Sequence, residues 1–160
     1  MAKVPRWFWT VLARTKPNLN RLAEWLIVAS KEQIEDFALA YELAAGQVAQ
    51  YYDGPEVDGE QYSEDNTEDL CKWIVSQGEE LWQKAVSKEI DLVDLAHLYQ
   101  SARFGAFPEY PVWTPDIEDK TYHWYSSPES LAWGIYEMRY GADLYEVISN
   151  LGSDRLKEID

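Results

Sequence analysis

The apolar residues of this chain recur at the spacing of an α-helix. The clearest case follows "SKEQ", a capping-box pattern in which the side chain of Gln33 can reach back to the backbone of Ser30. The apolar residues after it share one helical face: Ile34, Phe37, Ala38, Tyr41, Ala44, Ala45 and Val48. No run of the chain shows the sustained alternation that is typical of a strand. The sequence therefore predicts an all-α fold.

Start and stop signals predict further helices on both sides of this one. Two precede it, "PRWFWTVLAR", entered through Pro5, and "NLNRLAEWLIVAS". After it come a helix capped by Thr67 that runs through "DLCKWIVSQGEELW" and another from about Asp91. We expect one domain over residues 1–160, a bundle of about six to seven helices.

The C-terminal part carries the sharpest helix boundaries. In "SSPESLAWGIYEMRYG", Ser127 is placed to cap the helix, Pro128 suits its first position and Gly141 follows its end. A closing helix is predicted over about 143–150, and the charged tail after Gly152 is expected to fray or to continue it.

Residues 53–66 form a predicted acidic loop. Eight acids and no base lie between Asp53 and Asp69, with Gly54, Pro55 and Gly59 among them. The calcium-loop rule places a ligand at the first position and a glycine at the sixth, but alignment on Gly59 puts Gly54 first. The segment therefore does not match a calcium loop, and we predict no metal and no cofactor.

Residues 104–125 form a predicted irregular segment that is rich in rings and carboxylates. Its aromatic residues are Phe104, Phe107, Tyr110, Trp113, Tyr122, Trp124 and Tyr125. Long segments without regular structure are often functional. Two interpretations stay open, since the rings can form a partner surface or can fold over the helices as a lid to the core.

The charge balance restricts the class of partner. The net charge is −15, from 14 Lys and Arg against 29 Asp and Glu, so phosphate binding and direct contact with nucleic acid are not expected. An anionic membrane surface would repel the chain, and the longest apolar run, which starts at Trp25, is too short to span a bilayer. The start "MAKVPRWFWTVLART" lacks the features of a signal peptide, so we expect a cytoplasmic protein.

Nucleophilic and acid–base chemistry have weak support in the sequence. Cys71 lies in an acidic neighbourhood and is predicted to be a small buried residue, and Gly78 is predicted to permit close packing or to break its helix. We expect His97 to be a half-buried helix residue. His123, in "TYHWY", has no nucleophile or metal-ligand motif at diagnostic spacing. The sequence therefore favours a protein that is not an enzyme.

Two short motifs carry a resemblance to a known family. The opening "RWFWTVLART", with Phe8 and Trp9, and the later "WIVSQG", from Trp73 to Gly78, resemble a bacterial domain family of unknown function, number forty-two-forty. The similarity covers about residues 6–100. It implies a helical fold and a packing signature in which Gln77 bonds to backbone, and it implies no catalytic residue because the family has no established activity.

These observations predict an acidic protein-binding domain, in its most concrete form an immunity-type inhibitor that occludes a basic toxin such as a nuclease. Its carboxylates would pair with cationic residues, while Trp113 and Trp124 would anchor in the cleft of the partner. The predicted partner-binding residues are Asp53, Glu56, Asp58, Glu60, Glu64, Asp65, Glu109, Tyr110, Trp113, Asp116, Glu118, Asp119 and Trp124. The alternative is a small-molecule-binding or hydrolytic enzyme with a Trp- and Tyr-lined pocket near His123.

Overall fold

The computed structural model describes residues 3–119 and 121–156. In these ranges the chain forms eight α-helices, one two-stranded antiparallel hairpin and a short 3-10 turn, which confirms the prediction of an all-α fold. The elements are α1 Arg6–Thr15, α2 Leu19–Val28, α3 Lys31–Val48, β1 Glu56–Val57, β2 Glu60–Gln61, α4 Glu64–Ser76, α5 Glu79–Val86, α6 Leu92–Ala102, α7 Pro128–Tyr140 and α8 Leu144–Ser149. Residues 153–155 form the 3-10 turn. None of the helices in these ranges combines the length and apolar character that a membrane crossing needs.

Local hydrogen bonds explain why α3 and α7 begin and end where they do. The N–H of Ser30 donates to Gln33 Oε1 at 2.8 Å and the N–H of Gln33 donates to Ser30 Oγ at 3.1 Å, so the predicted capping box is confirmed. Ser127 caps α7 with Pro128 in its first turn. Gly141 ends this helix in the left-handed conformation at φ 64°, which glycine adopts without steric cost.

The acidic loop is shorter than the predicted range of residues 53–66, because α4 begins at Glu64 and two short strands form before it. Ser63, and not Thr67, caps α4, because Ser63 Oγ accepts the N–H of Asn66 at 3.1 Å. Glu64 and Asp65 thus occupy the first helical turn, where the helix dipole favours carboxylates. Before them, Asp58 and Gly59 form a two-residue turn at positive φ between the two short strands.

The predicted continuous helix through "DLCKWIVSQGEELW" is wrong, and the alternative of a break at Gly78 is confirmed. The first helix, α4, ends at Ser76 and the next, α5, begins at Glu79. Gly78 joins them at φ 109° and ψ 175°, a backbone conformation available to glycine and not to residues with a Cβ.

Contacts group the chain into two units. The first combines residues up to Leu43 with those from Trp113 onward, and the second is Ala44–Val112. Whether the chain forms a single domain stays a prediction.

Each unit has its own buried residues. The first contains an aromatic cluster in which the ring of Phe8 lies 5.2 Å from that of Phe37 and 5.8 Å from that of Tyr41, between centroids. The second is built on Leu70, Ile74 and Leu95, all at most 1% exposed, with Val57 of the hairpin packed against them. Buried side chains in each unit thus provide the apolar burial that holds its helices together.

Candidate partner-binding surfaces

The first candidate surface is the acidic hairpin, which we define as the carboxylates of residues 53–65 in the second unit. All of them are exposed: Asp53, Glu56, Asp58, Glu60, Glu64 and Asp65. The burial of Val57, 4% exposed, fixes the strand that carries Glu56 because its side chain packs into the core of the unit. The surface is therefore a set of exposed charges on ordered backbone.

Contacts hold residues 54–62 against α4 and α6. Nε2 of His97 lies 3.2 Å from Oδ1 of Asp58, and Gln100 Nε2 donates to Tyr62 Oη at 2.8 Å. Gly54 lies so close to Thr67 that an added Cβ would overlap with the threonine hydroxyl. His97 itself is exposed, with 47% of its side chain accessible to solvent, which corrects the prediction of a half-buried histidine.

The second candidate surface is carried by an irregular segment that the first unit anchors. The N–H of Thr114 donates to the carbonyl of Pro17 at 3.0 Å, and the N–H of Leu19 donates to the carbonyl of Thr114 at 2.9 Å. The N–H of Asp116 donates to Asn20 Oδ1 at 2.8 Å. Residues 104–125, apart from undescribed residue 120, contain no helix or paired strand beyond the single bridge at Thr114, as predicted. The segment is irregular and nevertheless fixed.

Two of the aromatic residues that were predicted to bind a partner, Trp113 and Tyr110, are poor candidates in the structure. Trp113 is only 4% exposed, so the prediction that it inserts into a partner is wrong. It immediately precedes the anchored Thr114 and belongs to the buried residues of the first unit. Tyr110 is half-buried in the second unit, where its ring packs 6.1 Å from that of Trp73. For these rings, the interpretation of a lid to the core describes the structure better.

The exposed end of the segment is different, and we call it the Trp124 surface: Asp116, Ile117, Glu118, Asp119, His123 and Trp124. Trp124 is 82% exposed and Ile117 is 90% exposed. A hollow of about 530 Å³ is lined by Pro115, Asp116, Ile117 and His123. The imidazole of His123 lies 4.4 Å from the ring of Trp124, between centroids. Apolar groups and carboxylates thus lie side by side here.

Asp119 is held in its charged form. Its Oδ1 atom accepts the hydroxyl of Thr121 and the N–H of the same residue, the latter at 3.0 Å. These hydrogen bonds, the hydroxyl's first, lower the pKa of Asp119 below its ordinary value because they stabilise the carboxylate. The Trp124 surface therefore keeps this negative charge to a lower pH than a free aspartate would.

The predicted site residues divide between the two units. The acidic hairpin, Glu109 and Tyr110 belong to the second, whereas Trp113, Asp116, Glu118, Asp119 and Trp124 belong to the first. Glu109 is exposed. Ile117 was not among the predicted site residues. Its position between Asp116 and Glu118 was the signal in the sequence that its side chain would be exposed.

Nucleophilic chemistry at Cys71 has no structural support. The side chain is 0% exposed, as predicted, and burial raises the pKa of its thiol to about 12. The thiolate that a nucleophile needs is therefore disfavoured.

Gln77 Nε2 donates to the carbonyl of Pro111 at 3.3 Å, which confirms the predicted bond of Gln77 to backbone. The residues that line the hollow beside His123 include no Trp or Tyr. Within residues 3–119 and 121–156, no three His, Cys, Asp or Glu side chains form a group that could hold a metal ion.

Comparison with known proteins adds no identity. A scan against protein-family models, a search of curated proteins and a search of solved structures each find no match to this chain. The resemblance to family forty-two-forty, carried by Phe8–Trp9 and Trp73–Gly78, stays a prediction.

Proposed function

We propose that this chain is an acidic protein-binding domain whose partner is a basic protein. The most concrete form is an immunity-type inhibitor that occludes a basic toxin such as a nuclease. The observation that carries the proposal is the Trp124 surface, where Trp124 and Ile117 lie exposed beside carboxylates on an anchored segment.

The composition of the Trp124 surface suits a binding anchor. Exposed tryptophan is unusual on a monomer and is enriched among the residues that dominate binding energy. Because hydrogen bonds already fix Thr114 and Asp116, binding would order few additional backbone groups here, which lowers the entropic cost of association.

Charge supplies the second part of the argument. The chain has a net charge of −15, and six of its carboxylates lie exposed on the acidic hairpin. Such a field attracts a basic protein over several ångströms and raises the association rate, and salt screens it over about 10 Å at 0.1 M ionic strength. Carboxylates presented to the phosphate-binding residues of a nuclease would compete directly with nucleic acid, which is the mechanism of occlusion.

The test begins with capture of partners from the native host lysate at low and high salt, followed by purification of the bound pair. The association rate should fall steeply as ionic strength rises, and the variant Trp124→Ala should raise the dissociation rate at least tenfold, a loss of about 1.4 kcal/mol or more. Met138→Ala is the matched control, because Met138 is an apolar residue with 69% exposure outside the Trp124 surface.

Two results would overturn the proposal. One is the absence of a stoichiometric basic partner under either salt condition. The other is a purified pair whose association rate does not depend on salt and whose dissociation responds equally to Trp124→Ala and Met138→Ala.

A further inference from the structure

The second unit contains a cleft of about 520 Å³ lined in part by Tyr99, Arg103 and Phe104. Its wall on one side is the C-terminal end of α6, where Tyr99, Arg103 and Phe104 lie. A volume of this size suits a small ligand or a single residue of a peptide.

The guanidinium of Arg103 is held by rings in this cleft. Its Cζ atom lies 4.9 Å from the ring centroid of Phe104 and 5.8 Å from that of Tyr99. The Tyr99 ring in turn lies 5.2 Å from that of Trp73. A cation–π contact of this kind does not use the N–H groups of the guanidinium as hydrogen-bond donors, so they can donate to a ligand.

No carboxylate in the described ranges of the chain forms an ion pair with Arg103, although acids outnumber bases two to one. By contrast, Lys72 and Lys84 in the same unit pair with the glutamates four residues before them. The positive charge of Arg103 is therefore placed over aromatic rings, and its fork of donors remains open to an external acceptor.

Other residues that line the cleft supply further donors. Tyr62 Oη accepts a hydrogen bond from Gln100 Nε2 at 2.8 Å, so its own hydrogen can be donated to a ligand. Asn66 adds an exposed side-chain amide. The guanidinium can pair with both oxygens of a planar carboxylate, and the phenol and amide can donate further hydrogen bonds to them.

Asp69 also lines the cleft and restricts the ligand class. Its charge would repel a doubly charged phosphate, but it can accept an ammonium group. The parts of the Tyr99 and Phe104 rings that Arg103 leaves uncovered favour an apolar group between the two polar ends, and Phe104 offers most of this area because it is 78% exposed.

We propose that this cleft binds the α-carboxylate of an amino acid with an aromatic or aliphatic side chain, with the carboxylate on Arg103 and the side chain on the rings of Tyr99 and Phe104. A free amino acid and the C-terminal residue of a peptide share this chemistry. In the free amino acid, the ammonium group pairs with Asp69.

Calorimetric titration of the full chain with three probes tests the proposal. L-phenylalanine carries both charged groups, N-acetyl-L-phenylalanine keeps only the carboxylate and L-phenylalaninamide keeps only the ammonium. The two carboxylate probes should include at least one that binds, and the amide should bind at least tenfold more weakly than the better of them. Preference for phenylalanine identifies a free amino acid as the ligand class, and equal or better binding of the N-acetyl probe identifies a peptide C-terminus.

Variants of Arg103 provide the matched comparison. Arg103→Gln should weaken the binding of the better carboxylate probe at least tenfold, and Arg103→Lys should retain part of it, because lysine keeps the charge and loses the planar fork. Lys84→Gln makes the same change in net charge away from the cleft and should leave binding unchanged. The proposal is overturned if neither carboxylate probe binds, if the amide binds as well as the better carboxylate probe, or if Arg103→Gln, shown to be folded by circular dichroism, binds like the unaltered protein.

Discussion

The hydroxyl of Tyr136 donates a 2.6 Å hydrogen bond to Oε2 of Glu35, a carboxylate that is 7% exposed. Arg155 completes the arrangement, since its Nη2 donates to Oε1 of Glu35 at 3.0 Å and its Nε donates to Asp36 at 2.6 Å. Helix α7 and the 3-10 turn at residues 153–155 are thereby tied to α3 within the first unit. Burial, followed by the bond to Glu35, raises the pKa of Tyr136 to about 12, so the phenol stays a donor at neutral pH.

Arg155→Ala should lower the free energy of unfolding by about 2–3 kcal/mol, because it leaves the buried carboxylate of Glu35 with one hydrogen-bond donor fewer and without its counter-charge. Arg21→Ala, which removes the same charge from an exposed position on α2, should change it by about 0.5 kcal/mol or less. Urea unfolding followed by circular dichroism measures both. Equal effects of the two substitutions would show that the contacts of Arg155 do not stabilise the unit.

Cys71 should be inert toward a thiol-specific chromogenic reagent in the folded protein and should react completely after unfolding in denaturant. The expectation follows from its 0% exposure and from the pKa of about 12 that burial gives its thiol. The readout is unambiguous because the chain has a single cysteine. Rapid reaction in the absence of denaturant would contradict the buried position.

The same thiol predicts a pH dependence of stability. Its pKa rises from 9.0 to about 12 on folding, so the folded state holds the proton more tightly. The protonated thiol makes its full contribution to the free energy of unfolding below pH 9, and this contribution is lost as the pH rises from 9 toward about 12. Unfolding free energies measured across this range should fall more steeply for the unaltered protein than for Cys71→Ala, and identical slopes would refute the assignment.

Gly134→Ala should destabilise the first unit by about 1–3 kcal/mol, because the added Cβ would overlap with the phenol of Tyr125 and overpacking carries that cost. Gly46→Ala is the control. Gly46 also lies within a helix, has no atom within 4 Å of the added Cβ, and should gain about 0.5–1 kcal/mol from the higher helix propensity of alanine. Thermal unfolding of both variants decides, and a stabilised Gly134→Ala would disprove the close approach.

Gly78→Ala should cost about 1–3 kcal/mol for a different reason, since space is available around its Cβ and the strain lies in the backbone at φ 109°. Gly46→Ala again serves as the comparison. An unchanged stability of Gly78→Ala would show that the junction of α4 and α5 does not require the positive φ of Gly78, and would contradict the prediction.

Local signals made the helix boundaries predictable where a short-range hydrogen bond decides them. Ser30 with Gln33, Ser127 and Gly141 all act within one turn of their own helix, so their residue types reveal their roles. The hairpin was not predicted because each strand has two residues, which is too few to show an alternating pattern. Its Asp58–Gly59 turn was the signal that remained.

The candidate surfaces were harder to predict because exposure in an irregular segment has no period. Trp113 and Trp124 have the same residue type in the same segment, yet one is 4% and the other 82% exposed. Hydrogen bonds from residues 17–20 fix the chain next to Trp113, and those partners lie more than ninety positions away in sequence. Composition identified the acidic and aromatic segments, and long-range contacts decided which of their side chains face solvent.

The pairing of Thr114 with Pro17 and Leu19 also sets an order for biosynthesis. Because synthesis proceeds from the N-terminus, α1 and α2 leave the ribosome long before Thr114, the residue that hydrogen-bonds to the start of α2, has been added. The second unit, by contrast, is one continuous stretch, and all its internal contacts are available once Val112 has left the ribosome. During translation, α1 and α2 are therefore complete before the segment around Thr114, which hydrogen-bonds to them, has been synthesised.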